Sequence, residues 1–327
     1  MASEVKVDIM ESIRLREYFY AVIATLYRYA ERIVVLEYPR SIEKRSVDLV
    51  VKLQDGKVFL LKVIDDLSLV SKKEAVELAN LSTALEIPGF IVAERNGDEL
   101  LVSDVVYEKH GVRTVNLETL EHIISGREQV YIYQSKDMFK INIDPRAMKA
   151  KRIEKNLSLG DIALILGTSR RAVYEYERGT IDPTIDKGEK LVNILGEEIL
   201  KPINMFEVPE SSPRPPSSYD NPVEEKIAEK LIEEGYKVYH AKRTVSDIGG
   251  SLRESRIMIA VKHRRDSEDR LVEKATYLEK MCELTGADHA IVADDKGVLR
   301  RIEAEGLRAY TIDAFIDVVK RLGEERK

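Results

Sequence analysis

The chain has 327 residues, enough for two or three domains that each bury a core. Hydrophobic residues make up 44% and charged residues 34%, a globular balance, and no apolar run is long enough to span a bilayer. The single cysteine, Cys282, excludes an internal disulfide and reads as a small core residue. The N-terminal residues carry no basic segment followed by an apolar core, so no secretory signal is expected and the cytoplasm is the expected location. Absence of Trp and abundance of Lys, Arg and Glu lean toward a thermophile.

In chain order, the spacing of Leu15, Tyr18, Val22, Ile23 and Leu26, with Ile9, Ile13 and Tyr27, predicts an amphipathic helix over about Asp8 to Ala30. Strands follow at Ile33 to Glu37, Val47 to Leu53 and Val58 to Ile64, the last two joined by a turn at Gln54-Asp55-Gly56-Lys57. A helix is expected from about Ser71 to Leu85 and a strand at Gly89 to Ala93. A helix near Asp104 to His110, a strand at Val112 to Val115 and a helix at Leu117 to Ile124 complete an α/β layer. Val130 to Tyr133 and Met138 to Ile143 read as a hairpin leading into Asp144-Pro145.

The stretch from Ser158 to Gly179 breaks into two short helices. Ser158 caps the first, with Asp161 at its positive end. Ile162, Ala163, Leu166 and Val173 share an apolar face, and Ala163 is small where a second helix must cross. Gly167 accepts positive φ and ends the first helix; Ser169 caps the second at once. This is helix-turn-helix geometry. Arg170, Arg171 and Tyr174 stand at the N-terminal part of the second helix, the end that enters a major groove, and Gly179 stops it. From Arg146 to Arg178, eight basic residues against four acidic ones leave +4 in a chain whose total is −6. A local basic surface on an acidic chain points to an anionic partner there. An ordinary helical hairpin with a solvated basic face is the competing account. Pro and Ser crowd Glu210 to Ser218, which reads as an extended linker.

Beyond the linker the elements recur. A helix over Pro222 to Glu234, strands at Tyr236 to His240 and Arg256 to Lys262, and a helix from Ser267 to Leu284 are expected. Strands at Ala290 to Ala293 and Leu307 to Thr311 and a closing helix from Asp313 to Leu322 follow. Lys62 and Lys262 lie 200 apart, as do Ile91-Val92-Ala93 and Ile291-Val292-Ala293, and Gly97 and Gly297; Gly111 and Gly306 lie 195 apart. Two copies of one α/β module follow from these ordered agreements.

The central stretch resembles the helix-turn-helix of the lambda-repressor/Cro family. Gly167 to Arg171, Tyr176 to Gly179 and Pro183 match it over about Arg146 to Phe206. The resemblance implies double-stranded DNA as partner, contacted by Ser169, Arg170, Arg171, Tyr174 and Arg178, with Lys151 and Arg152 at the backbone. It departs at Leu159, where the family often has a phosphate-touching Gln, so that contact is not expected. Both flanking copies resemble the restriction-endonuclease-like, PD-(D/E)xK, fold. There an Asp and a Glu hold Mg²⁺ beside a Lys, because Mg²⁺ takes hard, charged oxygen ligands. Asp48 precedes Lys62 by 14 residues and Asp247 precedes Lys262 by 15, but the Glu positions are Leu60 and Ala260. Neither can bind a metal, so both sites are expected to be degenerate. Lys62 ending an edge strand and Asp48 facing solvent are the readings preferred over catalysis. Glu17, Asp65 and Asp66 are the acids that could substitute. The five histidines show no zinc spacing.

Together the modules resemble a group of archaeal HTH-type transcriptional regulators. The expected fold is multidomain, α/β plus all-α: a nuclease-like module over 1–128, a hairpin connector over 129–145, a Cro-type domain over 146–207, a linker over 208–221 and a second nuclease-like module over 222–327. The expected function is sequence-specific DNA binding by a homodimer, with no enzyme activity, cofactor or metal. The alternatives are a Mg²⁺-dependent nuclease or repair factor targeted by the central domain, and a scaffold whose helix-turn-helix binds protein.

Overall fold

The structure is a computed structural model that describes residues 2–135, 137–208, 218–264 and 266–324. In chain order come α1 (Ala2–Leu26), β1 (Ala30–Val35), β2 (Leu49–Leu53), β3 (Val58–Asp66), α2 (Lys72–Leu85), β4 (Gly89–Asn96), β5 (Glu99–Leu100), β6 (Val105–Lys109), β7 (Val112–Val115) and α3 (Leu117–Ser125). The hairpin β8 (Ile132–Ser135) and β9 (Met138–Ile141) leads to α4 (Pro145–Glu154), α5 (Leu159–Leu166), α6 (Arg170–Arg178) and α7 (Ile185–Leu195). The last segment holds α8 (Pro222–Glu233), β10 (Lys237–His240), β11 (Ile248–Leu252), β12 (Ser255–Val261), α9 (Glu268–Thr285), β13 (Asp288–Val292), α10 (Lys296–Ala304), β14 (Ala309–Tyr310) and α11 (Ile312–Glu324). The stretch expected to be a Pro/Ser linker lies mostly outside the described residues. No described helix is long and apolar enough to cross a membrane.

The contacts form two units. One is Met1–Val92, His110–Val112 and Phe206–Lys327; the other is Ala93–Lys109 and Arg113–Met205.

In the first unit β1, β2 and β3 pair antiparallel. All of β3 but Val58 is buried, so its run of apolar residues has no polar face. Leu15, Tyr18, Phe19, Val22 and Leu26 form the buried stripe of α1 at helical spacing, whereas Ile13 and Tyr27 are exposed. Phe59 and Phe90 stack at 5.1 Å. A capping box holds the start of α2: Ser71 accepts from the Glu74 amide, and Glu74 accepts from the Ser71 amide at 2.8 Å.

The last segment repeats this plan. β10, β11 and β12 pair antiparallel, then β12, β13 and β14 pair parallel around a core of Ile227, Leu231, Tyr236, Ile248, Ile259, Val292 and Phe315. Gly111 and Gly306 both take positive φ in turns before β7 and β14. Gly97 and Gly297 do not correspond: the first sits in a turn at positive φ, the second in the first turn of α10, an element the periodicity missed. β11 was also not anticipated, because Gly249-Gly250 dilutes its apolar signal. Gly249 is obligatory there, since a Cβ would lie 1.7 Å from the Tyr239 ring.

The two copies grip each other reciprocally. α2 of the first packs on β10 and β11 of the second, and α9 of the second packs on β2 of the first. Glu77 of α2 accepts from the amide of Arg243 at 3.0 Å and from the Ser46 hydroxyl at 2.7 Å, while the Ser46 amide donates to the Arg243 carbonyl at 2.8 Å. On the α9 side, Lys274 lies 5.2 Å from the Tyr38 ring centre and Tyr277 donates to Glu37 at 2.7 Å.

In the second unit the segment Asp104 to His110, expected to be helical, is instead strand β6, paired parallel with β8. Val105, Val106 and Tyr107 are all buried, and β-branched and aromatic side chains favour a pleated neighbour. Asp104 and His110 take positive φ on either side and turn the chain. The four helices α4 to α7 close on Met148, Ile162, Leu166, Val173, Tyr176, Leu191 and Leu195. Gly188 lets α7 lie directly on β9, because a Cβ would meet Ile141 at 2.6 Å.

Candidate nucleic-acid interface and the nuclease-like clusters

The helix-turn-helix forms as its caps dictate. Ser158 accepts from the Asp161 amide at 3.1 Å and Asp161 returns the bond at 2.7 Å. Gly167 closes α5 at φ 61°, and Ser169 accepts from the Ala172 amide at 3.1 Å to open α6. Ile162, Ala163, Leu166, Val173 and Tyr176 turn inward as the spacing requires. The hydrogen-bonded Asp161 carboxyl is held below the usual carboxylate range, first by the Ser158 amide.

Ser169, Arg170, Arg171, Tyr174 and Arg178 are all exposed along α6. The Arg178 guanidinium sits 5.8 Å from the Tyr174 ring centre, one turn away. Arg170 folds back over the start of α5: a Cβ on Gly160 would meet its guanidinium at 2.7 Å. Gly160 is therefore a part of the surface that sequence reasoning missed, although a glycine inside a helix was a visible signal. Replacing Gly160 with Ala should leave unfolding stability within about 1 kcal/mol, since only a flexible side-chain end must move. Filter binding should show weaker DNA retention, as Arg170 is displaced.

Lys151 and Arg152 do not join the exposed set. Arg152 was expected to face DNA backbone, but its side chain is 12% exposed. It forks onto Glu177 at 2.5 and 3.1 Å and donates to the Leu157 carbonyl at 2.8 Å. A bidentate guanidinium–carboxylate pair fixes geometry, so Arg152 ties α4 to α6. Lys151 lies 3.2 Å from Glu154 and 3.6 Å from Glu198.

In the first nuclease-like copy, Asp48 and Lys62 are fully buried, which removes both the solvent-facing and the edge-strand readings. Asp48 donates its amide to the Leu61 carbonyl at 2.8 Å and accepts from the Val63 amide at 2.8 Å. Lys62 donates to the Arg45 carbonyl at 2.6 Å and stands 3.6 Å from Glu74. Burial, opposed by Lys62, pushes the Asp48 carboxyl up to about 6. Of the acids weighed as substitutes, Glu17 is exposed, Asp65 is buried and Asp66 accepts from the Ser68 amide; Glu74, held in the capping box, comes within 3.6 Å of Lys62.

The second copy corrects the register. Asp247 donates to the Ile259 carbonyl at 2.9 Å and accepts from the Val261 amide at 2.7 Å, the same pattern one strand residue earlier. Ala260 therefore stands where Lys62 does, and Met258 where Leu60 does; Lys262 is outside the cluster. The β11–β12 turn needs only Arg253 and Glu254 between paired Leu252 and Ser255, so the hairpin is shorter than in the first copy. Lys274 on α9 takes over instead, with its ammonium 2.5 Å from both Asp247 oxygens.

Around that pair, His263 lies 3.5 Å from Asp247 and 3.1 Å from Glu224, and His240 lies 2.9 Å from Glu224. Hydrogen bonds to Asp247 and Glu224 raise His263 to about 10. Burial opposes ionisation of Glu224, but His240 and His263 outweigh it and hold it at about 2. Burial likewise works against Asp247, yet Lys274 and His263 keep it below its ordinary value.

Among the described residues, three groups have ligand atoms close enough to share a cation: Asp104–His122–Glu128, Asp220–Glu224–His240 and Glu224–Asp247–His263. In the first nuclease-like cluster Leu60 stands at one acid position and the Arg45 guanidinium lies 3.9 Å from Asp48; in the second, Lys274 contacts both oxygens of Asp247.

A PD-(D/E)XK superfamily domain matches residues 16–130, and a helix-turn-helix domain matches residues 148–201. A relative from Aeropyrum pernix, named "Putative HTH-type transcriptional regulatory protein", is 45% identical over 93% of this chain and 94% of its own. Proteins of the same name from Archaeoglobus fulgidus and, with a strain suffix, Saccharolobus islandicus are 28% and 25% identical, over 86% and 88% of this chain and 90% and 91% of theirs. No solved structure matches. With near-complete coverage at that identity, the chain belongs to this family of archaeal HTH-type transcriptional regulatory proteins.

Proposed function

We propose that the chain is a sequence-specific double-stranded DNA binder that regulates transcription, and that its nuclease-like copies are structural and cut nothing. The observation that carries this is the exposed row of Ser169, Arg170, Arg171, Tyr174 and Arg178 on a correctly capped second helix. Arginine at the start of such a helix can read guanine bidentately or grip phosphate. The apolar Leu60 and Met258 support the absence of cleavage, because each stands where the metal-holding Glu of this fold would be.

We further propose a homodimer. One helix-turn-helix reads half a site, and specificity then needs a second. The two α/β copies are engaged with each other inside one chain, so the second chain must come in elsewhere. Leu164 is 84% exposed and Ile165 is 44% exposed on α5, apolar surface that such a contact would cover.

Selection of bound fragments from a random DNA pool tests this reading. The expected product is an inverted repeat with half-sites about 10 bp apart or a multiple of that. The same DNA should stay intact with Mg²⁺ or Mn²⁺. No enriched sequence would overturn the function, a single half-site would overturn the dimer, and cleavage lost in Asp48→Ala would favour the nuclease.

A further inference from the structure

Gly179 to Thr184 join α6 to α7. Gly179 takes φ 68° and lies against the start of α4, where a Cβ would stand 2.8 Å from the Pro145 ring. Beyond it the segment is held from outside the four helices, by the hairpin that was expected to be a connector. The Ile141 amide donates to the Pro183 carbonyl at 3.0 Å, and Lys140 and Thr184 form an antiparallel bridge. Tyr133 of β8 donates its hydroxyl to Asp182 Oδ2 at 2.8 Å, and the Ile143 amide lies 3.5 Å from Oδ1. Both side chains are half-buried. Burial, and then the Asp182 carboxylate, push the Tyr133 phenol above its ordinary value, so the hydroxyl stays a donor.

The hairpin is itself fixed. β8 runs parallel to β6 with Tyr133 opposite Val106, which is buried. At its other end the Asp144 amide donates to the Ile199 carbonyl at 2.7 Å, and Ile143 bridges to Leu200. The start of α6 is set by its Ser169 cap, and its middle by Val173 and Tyr176 in the core. Its exit is the remaining freedom, and the Tyr133–Asp182 bond stands there.

We propose that Tyr133 and Asp182 are positioning residues for DNA reading: their bond fixes the exit of α6, and with it the angle at which Arg171 and Tyr174 meet base edges. This rests on the reading of α6 as the helix that enters the groove. Paired hydrogen bonds to base edges need lengths right to a few tenths of an ångström, and a loosely supported site loses them. A flexible arginine on a phosphate tolerates the same displacement, because that attraction is electrostatic and not tied to one geometry. Loss of the bond therefore removes discrimination and spares non-specific binding.

The test titrates the full chain on a preferred and a scrambled duplex at several salt concentrations. Tyr133→Phe keeps the ring and removes the hydroxyl. It should weaken the preferred duplex by about threefold to tenfold, the range for one hydrogen bond, and leave the scrambled duplex and the salt slope unchanged. Asp182→Asn should bind as the parent does, because its amide oxygen still accepts from Tyr133. Asp182→Ala should match Tyr133→Phe, and the double variant should be no worse than either, since each removes the same bond. Without DNA, amide exchange at Thr180, bonded to the Glu175 carbonyl at the end of α6, should quicken in Tyr133→Phe. Equal loss on both duplexes, additive losses in the double variant, or unchanged discrimination in Tyr133→Phe would overturn the proposal. If the parent prefers no sequence, the reading of α6 fails instead, and exchange at Thr180 still decides whether the bond fixes the exit.

Discussion

Replacing Lys274 with Met should destabilise the chain by about 3–5 kcal/mol, the range for stranding one partner of a buried ion pair. Lys274 is 2% exposed and its ammonium contacts both oxygens of Asp247, which is also buried. Without it, Asp247 keeps the Val261 amide and His263, which are too few for a desolvated charge. In urea the midpoint should fall with the slope unchanged. Adding Asp247→Asn should restore most of the loss, because the amide oxygen still accepts from Val261 and no charge is left to compensate. A Lys274→Met variant as stable as the parent would refute the account. The same cluster sets a pH dependence. His263 has a folded value of about 10, above its ordinary 6.5, so its contribution is complete below pH 6.5 and disappears as pH rises through 10. Glu224 has a folded value of about 2, so its contribution is present above its ordinary 4.5 and is lost as pH falls toward 2. The cluster is therefore strongest in the window between 4.5 and 6.5.

The helix-turn-helix was legible because its determinants are local. Ser158, Gly167, Ser169 and Gly179 act within one or two turns, and the apolar face repeats at helical spacing. The second cluster was not legible, since Glu224 comes from α8, Asp247 from the residue before β11, His263 from just past β12 and Lys274 from α9, far apart in sequence. Spacing alone pointed to Lys262 rather than Lys274, because Asp247 lies 199 residues after Asp48 and the second hairpin is one residue shorter, which puts Ala260, not Lys262, at the position of Lys62. Periodicity exposed two copies but not their partner. Within a single chain the copies meet through α2 and α9, and that pairing depends on residues such as Glu77 and Tyr38, whose types carry no local signal.

Replacing Arg170 and Arg171 together with Ala should abolish specific DNA binding while the fold persists, and the single variants should separate their roles. Both side chains are exposed and neither belongs to the helical core, so melting should be nearly unchanged. Arg171 stands exposed at the second position of α6, the place from which a recognition helix meets base edges. Arg171→Ala should cost about 1–3 kcal/mol against the preferred site and relax sequence preference there. Arg170 is drawn over Gly160 at the start of α5, where the helix N-terminus and a guanidinium together suit a phosphate. Leu159 offers no side-chain donor at that helix start, and Arg170 is expected to supply a phosphate contact there. Arg170→Ala should therefore weaken specific and non-specific DNA alike, and reduce the slope of log affinity against log salt by about 1. Titrations on a preferred and a scrambled duplex at several salt concentrations measure both effects. If Arg170→Ala changes sequence preference while Arg171→Ala changes only the salt slope, the two assignments are reversed; if neither changes binding, α6 does not read DNA.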